Sequence, residues 1–127
     1  MSTRSNIGYK DEDSGKYVYV YCHFDGYEDG VGMDLLNNYN SYDKIIELVN
    51  QGDMSTPGTP YTSRGDDYED TKPQITFDIN ETYQQEFSYI WRENKIVYSK
   101  NGKTWKDLKW KLKQVNFIQK NQLIKPN

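Results

Sequence analysis

The sequence predicts an α+β fold, an antiparallel sheet of four to five strands with two consecutive helices packed on one face. Three observations predict it. Residues 17–22 (YVYVYC) alternate Tyr with Val and Cys at the two-residue period of a half-buried strand. Two stretches after Gly32 carry apolar residues at helical spacing, and two alternating runs later in the chain flank a polar turn. At 127 residues the chain is long enough for one modest core, and a single domain over 1–127 is expected.

Taken in order, residues 4–10 form a first strand. The charged turn Asp11, Glu12, Asp13, Ser14 and Gly15 leads from it into the 17–22 strand, so the two pair antiparallel. Met33, Leu35, Leu36 and Tyr39 mark a short helix that ends in an Asn-rich terminus. Ser41 caps a second helix with Ile45, Ile46, Leu48 and Val49 as its apolar stripe and Gly52 at its close. Residues 53–73 hold Ser, Thr, Pro, Gly and Asp with Met54 as almost the only aliphatic side chain, and read as a long loop, either disordered or a lid. Residues 74–79 alternate weakly. Residues 86–91 and 95–99 form a hairpin turning at Arg92, Glu93 and Asn94. In the terminal segment Trp105, Leu108, Leu112 and Val115 share a helical face while Leu108, Trp110 and Leu112 also alternate as in a strand; helix is the preferred reading, with a frayed tail over 117–127.

Composition narrows the function classes. There are 12 tyrosines against 4 phenylalanines in a chain of mean hydropathy −1.02, so the core is thin and Tyr-rich and much of the surface is amphipathic. One Cys cannot form an intrachain disulfide or a zinc cluster, and no apolar run has the length of a membrane span, which together indicate a soluble protein of the cytoplasm. Charge is divided. Residues 1–90 hold 6 Lys/Arg against 17 Asp/Glu, and residues 91–127 hold 10 against 2. Such asymmetry fits internal complementarity, a charged partner or head-to-tail association of copies.

Candidate chemistry starts where the 17–22 strand delivers the chain's one Cys and one His, Cys22 and His23, into the Gly-rich acidic turn around Asp25 and Tyr27. Arg4, Ser5 and Asn6 open the neighbouring strand. A guanidinium with hydroxyl and amide donors suits phosphate or carboxylate, His23 and Asp25 suit a ribose or base edge, and Tyr27 offers a stacking ring. Arg64 adds a second cation if its loop folds over. The plain structural alternative pairs Arg4 with Asp25 and leaves His23 as a hydrogen-bonded strand end.

A small hydrolase using His23 and Asp25, which could orient each other or bind a metal with Asp29, is a further alternative. Two adjacent ligands fall short of the three a catalytic metal site usually has, and Cys22 and His23 would point to opposite faces of a strand. No nucleophile-elbow, phosphate-loop or dinucleotide fingerprint occurs, and no catalytic set, cofactor or metal is expected. The basic stretch from Lys100 to Lys113 with Trp105 and Trp110 has the make-up of a nucleic-acid surface, but the acidic body opposes it.

The opening MSTRSNI, the Cys-His-Phe-Asp-Gly-Tyr block at 22–27, the helix carrying Leu35, Leu36, Asn37, Asn38 and Tyr39, and Arg64-Gly65-Asp66 further on together give a resemblance. The chain resembles a family of small uncharacterised bacteriophage and prophage proteins, most specifically over its first 53 residues. The resemblance implies a phage setting in a bacterial host cytoplasm. Joined to the polar cluster of Arg4, Ser5, Asn6, His23, Asp25, Tyr27 and Arg64, it leads to an expected role as a non-enzymatic counter-defence protein that sequesters a small nucleotide-like immune signal. A homo-oligomer would help enclose the ligand. The rival is an inhibitor that binds a host restriction or CRISPR nuclease.

Overall fold

Alternation along residues 17–22 and 5–10 produces two strands whose side chains divide cleanly between two faces. The structure, a computed structural model, describes residues 3–60 and 72–112. Strand β1 (Ser5–Lys10) pairs antiparallel with β2 (Tyr17–Cys22), with Ser5 opposite Cys22 and Lys10 opposite Tyr17. Its other side pairs with β6 (Phe87–Arg92) in parallel, Ser5 opposite Phe87 and Tyr9 opposite Trp91. The sheet is therefore mixed, which corrects the antiparallel expectation. A parallel neighbour needs a crossover of about a dozen residues or more, and the chain between β2 and β6 is long enough to supply one.

The sheet also has more strands than expected. Eight are present among the described residues. Outward from β2 come β3 (Met54–Thr56) and β4 (Thr59–Pro60), a small hairpin inside the stretch expected as loop. Strand β5 (Gln74–Thr76) lies antiparallel along the start of β2. On the far side of β6 come β7 (Lys95–Ser99) and β8 (Lys106–Asp107). The β6–β7 turn places Glu93 and Asn94 at φ 54° and 64°, the paired left-handed geometry that matches the twist of a tight hairpin. The rest of the expected lid, residues 61–71, and the expected tail at 117–127 lie outside the described residues.

Two helices cover one face. Helix α1 (Met33–Asn38) follows a turn of π-helix at Glu28–Gly32, and α2 (Tyr42–Val49) starts on Ser41, whose side chain accepts from the Lys44 N–H at 3.2 Å. Leu35, Ile45, Leu48 and Val49 bury against Ile7, Tyr9, Val20, Cys22, Tyr89, Trp91, Ile96 and Tyr98. The second face carries Tyr17, Ile90 and Val97, closed by Ile79 and Trp105. Residues 108–112 are helical, with Leu108 and Leu112 in the main core and Trp110 exposed. Trp105 does not share their face: it packs on the second side of the sheet, its Nε1–H donating to Asn80 Oδ1 at 2.8 Å. No helix among the described residues is long and apolar enough to cross a membrane.

Candidate functional site

The registers bring the end of β2, the start of β1, the start of β6 and the end of β7 to one rim of the sheet. Residues 25–32 cross that rim as a strap. Asp25 turns the chain at φ 57°, and the Gly26 N–H donates to Thr3 O at 2.9 Å beside the start of β1. Next, the buried Tyr89 hydroxyl of β6 donates to the Gly26 carbonyl at 2.7 Å. Finally, the Tyr98 hydroxyl of β7 donates to Glu28 Oε2 at 2.8 Å, and Lys100 Nζ lies 3.5 Å from Glu28 Oε1. A Cβ on Gly26 would sit 2.9 Å from Thr3 O and 3.0 Å from the Arg4 carbonyl carbon, so only glycine lets the strap come this close to β1.

The expected site residues divide along this geometry. Ser5 is fully buried on the helix face, opposite Cys22, with its hydroxyl beside the Cys22 thiol. Asn6 is 2% exposed and faces the other way, its Nδ2 donating to Thr82 O at 2.7 Å. The two neighbours therefore cannot line one receptor surface, because successive strand residues point to opposite faces. Asn6 has its amide committed to tying the 79–82 segment onto the sheet.

Arg4 and His23 immediately follow the last β1–β2 pair, so the topology does bring their backbones together at the rim, and Arg4 is exposed. The His23 N–H donates to Met54 O at 3.0 Å, and its Nδ1 lies 2.6 Å from the Tyr21 hydroxyl. The Phe24 ring meets the imidazole edge to face at 4.5 Å. His23 thus sits among aromatic neighbours that the sequence reading did not select, although Tyr21 is visible from the two-residue period, being the preceding residue on the same strand face. Tyr27 is 41% exposed, and its hydroxyl donates to Asp25 Oδ1 at 3.0 Å. Strand β2 ends at Cys22, so His23 and Asp25 do not continue one strand face. Arg64 lies outside the described residues.

Electrostatics argue against nucleophilic chemistry at Cys22. Burial pushes its thiol up to about 12, and its Sγ faces the Phe24 and Ser55 carbonyls at 3.8 and 3.7 Å, so it stays a neutral core residue at physiological pH. Burial likewise raises Tyr89, reinforced by the nearby Glu28 carboxylate, and raises Tyr98, whose phenol also donates to Glu28. Among the described residues no group of three or more His, Cys, Asp or Glu side chains is arranged to hold a metal ion. What the rim presents is a fixed imidazole with aromatic walls, an exposed guanidinium and an acidic turn, a set suited to recognition. No protein-family model, no curated protein and no solved structure matches the chain.

Proposed function

We propose that the chain is a phage-encoded, non-enzymatic counter-defence protein of the host cytoplasm that binds and sequesters a small nucleotide-like immune signal at the rim around His23. The observation that carries this reading is the His23 imidazole, hydrogen-bonded to Tyr21 at 2.6 Å and walled by Phe24, at the end of the β1–β2 ladder where Arg4 flanks the last pair, Ser5–Cys22. An aromatic shelf receives a base by stacking and the guanidinium donates to phosphate oxygens. Ser5 and Asn6 support the site from behind and take no ligand contact. Phe24 and Tyr27 are 43% and 41% exposed, and a homo-oligomer in which a second copy covers them would help enclose the ligand.

Calorimetric titration and thermal shift with a panel of linear and cyclic mono- and dinucleotides test the reading. A particular nucleotide should raise the melting temperature by mass action, and Arg4→Ala and His23→Ala should each weaken its binding at least tenfold while remaining folded. If no nucleotide shifts the protein while a host nuclease is retained and inhibited by it, the exposed Phe24 and Tyr27 beside the acidic turn belong instead to a protein-docking surface, and the inhibitor reading replaces capture.

A further inference from the structure

On the far end of the strap from His23, Tyr98, Lys100, Asn101, Thr104 and Lys106 line a groove of about 170 Å³. We infer that this groove binds the phosphoryl group of a small phosphomonoester. The inference is independent of the nucleotide shelf at His23 and rests on the donors that the β7–β8 connection leaves over.

The connection folds on its own side chains. Ser99 Oγ accepts the Gly102 N–H at 2.9 Å, and Asn101 Oδ1 accepts the N–H groups of Lys103 and Thr104 at 2.8 and 2.9 Å. Because that atom takes two backbone N–H groups, it is the carbonyl oxygen, and the Asn101 Nδ2 is the donor end of this groove-lining side chain. Gly102 holds φ 75° over the Tyr83 ring, and the Tyr83 hydroxyl donates to Lys100 O at 2.8 Å. The loop is thereby buttressed from below before any ligand arrives, which lowers the ordering cost of binding.

Charge and size select the ligand. The lining residues supply two ammonium groups, an amide and a hydroxyl. Glu28 pairs with Lys100 at 3.5 Å with its Oε2 occupied by Tyr98, and Lys100 Nζ also lies 5.9 Å from the Phe87 ring centre, yet the Lys100 side chain stays 59% exposed. A compact dianion matches two cations and two neutral donors. Drug-sized ligands fill cavities of about 300 Å³ or more, so 170 Å³ holds a phosphoryl head and leaves the rest of its molecule in solvent. The segment's tryptophans point away from this role as a nucleic-acid surface: Trp105 packs on the second face and Trp110 stands exposed on the following helix, so they form no stacking row with the lysines.

The test is a titration of the isotope-labelled full chain with inorganic phosphate, glycerol 3-phosphate, AMP and adenosine, followed by amide NMR. Phosphate and both monoesters should move the amides of residues 99–106, and adenosine should not; tighter binding of the esters than of phosphate identifies a phosphorylated metabolite over the free ion as the source. Lys106→Gln should weaken binding about tenfold. Glu28→Gln, which releases Lys100 but can still accept from Tyr98, should strengthen it about threefold or more. Arg4→Ala should leave it unchanged, which separates this groove from the His23 shelf. Absence of shifts among residues 99–106 at low millimolar phosphate, or affinities there indifferent to both Lys106→Gln and Glu28→Gln, would overturn the assignment.

Discussion

The Tyr89 hydroxyl donates to the Gly26 carbonyl across 2.7 Å in the buried interior, joining residues 63 positions apart in the chain. This bond seats the strap across the middle of that rim, between the His23 shelf on one side and the lysine groove on the other. A site on either flank inherits its position from it.

Tyr89→Phe keeps the ring and removes the donor, leaving a buried carbonyl without its partner. We expect a loss of about 1–3 kcal/mol, read from urea denaturation, with amide shifts spreading along residues 25–32. An unchanged midpoint would show that the strap is held by its other contacts, without this bond.

Gly26→Ala tests the close approach itself. The added methyl meets the backbone of Thr3 and Arg4 at 2.9 and 3.0 Å, atoms that cannot rotate aside. The expected cost is about 1–3 kcal/mol in the same assay, together with a weakened contact between the strap and the start of β1.

Asn6→Ala separates a structural role from a binding role. Its Nδ2 bond to Thr82 O is buried, so losing it should cost about 1–3 kcal/mol while nucleotide affinity, measured below the melting transition, stays as in the parent chain. A selective loss of ligand affinity without loss of stability would return Asn6 to the binding set.

Alkaline pH should destabilise the fold. The Cys22 thiol ionises near 9.0 in the unfolded chain and near 12 in the folded one, because burial disfavours the thiolate. Keeping it neutral costs nothing below pH 9, where both states are protonated. Above that the unfolded state sheds its proton first, and stability falls by about 1.4 kcal/mol per pH unit until the folded thiol also ionises. Tyr89 and Tyr98, raised for the same reason, add to the fall above pH 10. Denaturation midpoints measured from pH 7 to 11 should decline from about pH 9, and in Cys22→Ser the decline should begin only with the tyrosines.

Local periodicity carried much of this architecture into view. The alternation of Tyr17, Tyr19 and Tyr21 with Val18, Val20 and Cys22, the stripe of Ile45, Leu48 and Val49 behind the Ser41 cap, and the turn at Glu93 and Asn94 are each properties of a few consecutive residues. So is the separation of Ser5 from Asn6, since strand neighbours face opposite ways whatever the fold. The hairpin at 54–60 escapes the same reading because Ser, Thr, Pro and Gly dominate it, and its pairing depends on β2 offering a free edge at Cys22.

By itself the sequence determined which residues face together along each strand and helix, because those periods are built into backbone geometry. Tertiary structure alone decided that β6 lies parallel to β1, that the strap runs from Thr3 past Tyr89 to Tyr98, and that Lys100, paired with Glu28, shares a groove with Lys106. Backbone donors and acceptors are the same in every residue, so strand partner and direction are selected by how whole faces pack, and side chains distant in the chain meet only once that choice has been made.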